Sequence, residues 1–260
     1  MSRPVVTINE RGPDMADQEV RLDVADGVAT VTLDAPERRN ALTPAMAAEF
    51  VAALDEVDAR PEVGAVVVQG VGRSFCAGGD IATLADAAQD PAAAEGWDGV
   101  GAIYGSFRRL GAVRVPTIAA VRGSAVGAGM NMLLAADLRI VARDARLICG
   151  FLKRGLHPGG GHFVLLSRLI GREAAAAMAL FGEEVDGGRA AELGLAWEAV
   201  DDAAVEDRAH ELARRVASDP DLARLAVASF RTETATAVSW DVAMQLERPS
   251  QMWSMRRSAS

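Results

Sequence analysis

The sequence predicts a single α/β domain built on a mostly parallel sheet, and three observations carry that prediction. Short apolar runs at Ala65–Gln69, Thr117–Val121 and Leu138–Ala142 have the length and composition of strands buried on both faces. Each is followed or preceded by a segment of helical periodicity, which is the grammar of crossover units. No long linker interrupts the series, so the chain reads as one domain rather than two.

The elements follow in order. Residues 1–17 carry Pro4, Gly12, Pro13 and mixed charge without periodicity and read as a disordered leader, with Met15 offering an alternative start. Val20–Val24 and Val28–Leu33 alternate at period two around Asp26-Gly27, which predicts a hairpin with a type I′ turn. Thr43-Pro44 supplies an N-cap and a first-turn proline, and Met46, Phe50, Ala53, Leu54 and Val57 recur at helical spacing, so a helix is expected from Pro44 to Ala59. A fourth buried strand is expected at Leu195–Val200. From Ala203 onward the pattern is helical, broken at Asp219-Pro220 before a further helix from about Asp221. The expected organisation is a leader at 1–17, an α/β core at 18–202 and a helical region at 203–260.

Composition narrows the function. The 260 residues carry a net charge of −9, with 50% hydrophobic and 24% charged residues, a soluble globular profile without the basic patch that nucleic acid requires. The longest apolar run, Val126–Ala136, is too short to cross a bilayer and is interrupted by Gly127, Gly129 and Asn131, so no membrane partner is expected. Cys76 and Cys149 form no CxxC pair, which excludes a disulfide framework or zinc ribbon and fits a reducing cytoplasm. No metal site is expected.

The common nucleotide, zinc-protease and hydrolase fingerprints are absent. Two glycine-bearing loops stand out instead: Ser74–Asp80 after the strand at 65–69, and Gly123–Gly129 after the strand at 117–121. Both run into helix, so each offers unpaired backbone N–H groups at a helix N-terminus. One N–H from each, aimed at a single oxygen, makes an oxyanion hole for an enolate or tetrahedral intermediate.

Residues 19 to about 250 resemble the crotonase superfamily, the enoyl-CoA hydratase/isomerase fold. The resemblance rests on Pro36-Glu-Arg-Arg-Asn-Ala-Leu42, Phe75-Cys-Ala-Gly-Gly-Asp-Ile81, Val121–Gly129 running on to Asp137, Pro158-Gly-Gly-Gly161 and Ala190–Leu195, in that order and spacing. It implies a spiral of ββα units, a C-terminal helical trimerisation region and assembly as a homotrimer or homohexamer. It also implies an acyl-CoA ligand, coenzyme A being part of the substrate with no separate cofactor, and Gly79 and Ala128 N–H groups as the oxyanion donors. Around them Ala77, Gly78, Asp80, Ile81, Gly127, Phe151, Pro158 and Gly159 are expected at the substrate, and Arg38 with Arg39 at the CoA phosphates.

The departures from the pattern are as informative. Hydratases of this family carry catalytic glutamates at the positions held here by Asn131 and Phe151. An amide does not exchange protons near neutral pH and a phenyl ring can do nothing of the kind, so ordinary hydration is not expected. Isomerisation, decarboxylation or thioester hydrolysis remain, or a catalytically silent acyl-CoA binding protein. His157 and His162 bracket the Pro158–Gly161 turn and are the candidate replacements, imidazole being the natural acid/base near pH 7. The plain alternatives are a core-packed His157 and a His162 that caps the next helix. Asp80 reads as a helix cap, Asp137 as structural, His210 as solvated surface, and Trp97 and Tyr104 as pocket walls in a glycine-rich, mobile stretch from Ala85 to Gly111. Ala82 replaces a Lys common in the family, and the chain stops at Ser260, short of a final helix that often supplies another.

Overall fold

The computed structural model describes residues 18–89 and 93–235; the expected leader and the expected helical residues beyond 235 lie outside them. β1 (Val20–Ala25) and β2 (Val28–Leu33) form the hairpin, with Asp26 and Gly27 at φ 51° and 73° as a type I′ turn demands. α1 (Pro44–Ala59) starts as expected, Thr43 Oγ1 accepting from Met46 N at 3.1 Å. It buries Met46, Phe50, Leu54 and Val57 completely.

The remaining chain repeats one unit. β3 (Ala65–Gly70), β4 (Ser74–Cys76), α2 (Ile81–Gln89) and α3 (Ala94–Leu110) are the first; β5 (Thr117–Val121), β6 (Ser124–Val126) and α4 (Ala128–Ala135) the second; β7 (Leu138–Ala142), β8 (Arg146–Ile148) and α5 (His162–Ala179) the third. β9 (Val185–Asp186), α6 (Gly187–Glu192), β10 (Glu198–Val200), α7 (Val205–Ala217) and α8 (Pro220–Ala235) complete it. The first strand of each unit joins a six-stranded sheet, β1-β2-β3-β5-β7-β10, antiparallel only at the hairpin; the second joins a small sheet, β4-β6-β8-β9. The spiral of ββα units is thus present.

Three expectations change. Half of each glycine loop is strand: Ser74–Cys76 pairs with Ser124–Val126, because three-residue strands are too short to show periodicity in the sequence. The last strand shrinks to Glu198–Val200, since Leu195 and Ala196 both donate to Ala190 O and so close α6 instead of joining a ladder. The Ala85–Gly111 stretch, to which the sequence assigned no element, carries α2 as far as Gln89 and α3 over Ala94–Leu110. α7 covers β3, β5 and β7 with Ala209, Ala213 and Ala217, and Gly64 must lack a side chain because a Cβ there would lie 2.8 Å from Ala217 Cα. Among the described residues no helix is long and apolar enough to cross a membrane.

Candidate functional site

The first wall of the site is backbone. After β4, Leu42 and Gly79 form a parallel bridge made by Leu42 N to Gly78 O (2.7 Å) and Asp80 N to Leu42 O (2.9 Å). A parallel bridge uses the groups flanking one partner, so Gly79 keeps its own N–H outside the ladder. Gly78, at φ 99°, lets the chain turn there, and a Cβ on it would strike Val126 O at 2.7 Å and lie 3.5 Å from Ala128 N. The two loops therefore touch. Ala128 opens α4 behind Gly127 (φ 54°), and its N–H, in the first helical turn, has no intrahelical acceptor. Gly129 allows the helix start to press on β4, a Cβ there falling 2.2 Å from Cys76 O. Gly79 and Ala128 thus bring two uncommitted donors to one corner, at the positive end of a helix dipole.

A residue that sequence reasoning left without a role holds this corner. Asn40 is fully buried at φ 55°; its Nδ2 donates to Ser74 O (2.8 Å) and Val71 O (3.0 Å), and its Oδ1 accepts from Ala35 N (2.9 Å). Its signal was its type, since Asn tolerates the left-handed region and satisfies backbone groups there. Asp80 Oδ2 accepts from Thr83 N at 3.1 Å, the capping role expected of it.

The donors open on a cavity of about 500 Å³. Leu84, Val100, Ile103, Val126, Phe151 and Leu156 form its apolar wall, with Tyr104 and His157 as polar groups. Ala77, Gly78, Asp80, Ile81, Gly127 and Gly159 also line it, as expected; Pro158, Asn131 and His162 do not. Trp97 is 75% exposed and away from the cavity, because its position on α3 faces outward, so only Tyr104 of the two expected aromatic walls serves. Arg38 reaches the cavity but forms a two-pronged ion pair with Glu19 and donates from Nε to Ala41 O (3.0 Å). Its charge is already matched, whereas Arg39 and Arg154 line the same cavity in exposed positions. Both cysteines are free and buried, and burial pushes each thiol up to about 12, so Cys149 on the cavity wall is no nucleophile.

The second wall is the Pro158–Gly161 turn, and it separates the two histidines. His157 is exposed at the cavity rather than packed in the core. Its Nδ1 meets Pro158 O at 2.7 Å; a carbonyl only accepts, so Nδ1 is the donor and Nε2 is the ring nitrogen not engaged by the turn. His162 is 1% exposed, does not line this cavity, and its ring stands edge-on to Phe151 with centroids 4.9 Å apart. Burial lowers its pKa to about 4, so at neutral pH it is an uncharged structural group. It neither caps α5 nor faces substrate, because Asn131 holds it inside. His210 also differs from expectation: it is half-buried and joins α7 to β2, Nδ1 to Glu206 O (2.8 Å) and Nε2 to Thr30 Oγ1 (2.9 Å). Asp137 is structural as expected, accepting from Thr117 N and Oγ1 at 2.8 and 2.9 Å.

With this geometry in view, residues 23–256 match the family model described as enoyl-CoA hydratase/isomerase. The chain belongs to this family. It is 42% identical over 218 residues to the "probable enoyl-CoA hydratase EchA14" of Mycobacterium tuberculosis, covering 84% of this chain and 82% of that one. It is 36% identical over 233 residues to the 1,2-epoxyphenylacetyl-CoA isomerase of Escherichia coli, covering 88% and 87%. A crystal structure of an enoyl-CoA hydratase from Polaromonas sp. JS666 superposes with a TM-score of 0.84 at 26% identity, over 92% of each chain.

Proposed function

We propose that this enoyl-CoA hydratase/isomerase-family protein isomerises an enoyl-CoA thioester through an enolate, with His157 as the proton carrier, and does not hydrate it. The observation that carries the reading is what surrounds the cavity: two unpaired backbone donors and the His157 imidazole on its wall, and no carboxylate at residues 131 or 151. His157 Nε2 removes a proton from the acyl chain and the electron pair moves through the carbon framework onto the thioester oxygen. The N–H groups of Gly79 and Ala128 hold that oxyanion; return of the proton to a different carbon shifts the double bond with no atom gained or lost. One donor of this kind is worth about 10²–10³ in kcat, and a general base about 10²–10⁴.

Hydration would require a group to activate water beside the β-carbon. Asn131 is 1% exposed and turned away from the cavity, and Phe151 makes that stretch of the wall apolar. The Escherichia coli relative named 1,2-epoxyphenylacetyl-CoA isomerase supports the same choice. Arg39 and Arg154 are the cations we assign to the CoA phosphates. We assign the protein to the cytoplasm, its two thiols being free, and to a trimer or hexamer in which a neighbouring subunit covers Leu222 and Phe230, exposed on α8.

The test is direct. Purified protein should exchange the α-protons of butyryl-CoA in heavy water and convert 3-hexenoyl-CoA to the 2-isomer, while hydrating crotonyl-CoA at background rate. Efficient crotonyl-CoA hydration overturns the reading. Saturable binding of butyryl-CoA with neither exchange nor isomerisation identifies the silent binder instead.

A further inference from the structure

Asn131 stands where the family resemblance puts a proton-transferring glutamate, yet both ends of its amide are engaged elsewhere. Nδ2 donates to Gly159 O at 2.9 Å, and Oδ1 lies 2.7 Å from His162 Nδ1. The orientation is forced. Gly159 O is a carbonyl and only accepts, so the NH₂ end of Asn131 must face it; the oxygen end then faces the ring, and His162 Nδ1 must carry the proton. The backbone N–H of His162 also reaches Gly159 O, at 3.4 Å, so one carbonyl of the turn is gripped from both residues. Asn131 and His162 are each 1% exposed. Gly160 (φ 66°) packs so closely on the pair that a Cβ would lie 2.9 Å from Asn131 Nδ2, and Phe151 shields the ring from the cavity.

What this clamp joins gives it meaning. Asn131 lies one turn along α4 from Ala128, an oxyanion donor, with Asn131 N closing on Gly127 O at 3.2 Å. Gly159 lies two residues from His157, across Pro158, a stiff residue with fixed φ. Donor and base sit on different elements, and among the described residues the side-chain hydrogen bonds that span α4 and this turn are those of Asn131.

We propose that Asn131 and His162 act as one positioning device, setting the distance between the Ala128 N–H and the His157 imidazole, so that the residue at the former acid/base position now works through another. The proposal rests on the isomerase reading above and adds two residues to it that touch no substrate. A misplacement of about 1 Å between reacting groups is enough to lose about 10² in rate.

Two near-isosteric variants cut the clamp at different bonds. Asn131→Asp keeps an oxygen for His162 Nδ1–H but turns a second oxygen on Gly159 O, expelling the turn; His162→Phe keeps the turn bond and removes the ring donor. In butyryl-CoA α-proton exchange, Asn131→Asp should lower kcat about 10- to 100-fold and His162→Phe about 3- to 10-fold, each with KM within about threefold. In a His157→Ala background Asn131→Asp should change the residual rate by less than about twofold, because the device acts through His157. A drop in melting temperature with unchanged kcat per folded molecule makes the pair merely structural and overturns the proposal, as does full additivity with His157→Ala. If His157→Ala itself leaves exchange at the wild-type rate, the isomerase reading falls, and the positioning role with it; loss of exchange in His157→Ala but not in Asn131→Asp overturns the positioning role alone.

Discussion

The two walls of the cavity are built from different materials. The Gly79–Ala128 wall is backbone: its donors come from a bridge that bypasses Gly79 and from a helix start, and its precision comes from glycines at 78 and 129 that admit no Cβ. The Pro158–Gly161 wall is made of side chains: Phe151 and His157 face the cavity, and Asn131 and His162 hold the turn from behind. Replacing a side chain leaves a backbone donor in place, so charge stabilisation persists while proton transfer is reassigned. A fold of this kind can change its reaction by rewriting one wall.

The largest effect that sharpens this comparison is expected on the backbone wall. Ala128→Pro deletes one donor N–H at the first helical position, where proline is tolerated, so kcat for isomerisation should fall about 10²–10³-fold. Circular dichroism and a melting curve establish that the fold survives; wild-type turnover from the folded variant would remove Ala128 from the oxyanion hole.

Next comes a pH effect confined to the side-chain wall. His162 has its pKa lowered by burial to about 4 from 6.5, so the unfolded chain binds the proton more readily than the folded one. Its contribution is complete above pH 6.5 and is lost as pH falls toward 4, to the extent of roughly 3 kcal/mol. Urea unfolding at stepped pH should show that slope in wild type and a flatter one in His162→Phe. Equal slopes would mean that the imidazole is not held neutral in the folded state.

The smallest effect belongs to Asp80, which lies between the walls. Asp80→Ala removes the bond to Thr83 N and should cost about 1 kcal/mol of stability, with turnover within about threefold of wild type. A hundredfold loss of turnover at unchanged stability would make Asp80 the proton carrier in place of His157.

Much of this was legible in the residues. The Asp26-Gly27 turn, the Thr43-Pro44 helix start and the strands at 117–121 and 138–142 appear where the pattern puts them, because hairpin turns, caps and buried apolar runs are local physics. The small sheet was not legible, since Ser74–Cys76 is strand only by virtue of Ser124–Val126 fifty residues later. His157 and His162, alike in the sequence and five residues apart, went to opposite fates. A turn with Gly160 and Gly161 at positive φ sends one ring outward to the cavity and the other inward to Asn131.

The sequence by itself determined the α/β class, the order of the elements and the two glycine loops, since those depend on hydrophobic period, turn chemistry and the absence of side chains. It also determined that residues 131 and 151 carry no proton-transferring group. Only the tertiary structure decided that Gly79 N–H is left unused, that Arg38 is taken by Glu19 and that Asn131 faces the turn rather than the cavity. Each of these depends on a partner distant along the chain, and a hydrogen bond or ion pair has no counterpart in local composition until the chain has folded.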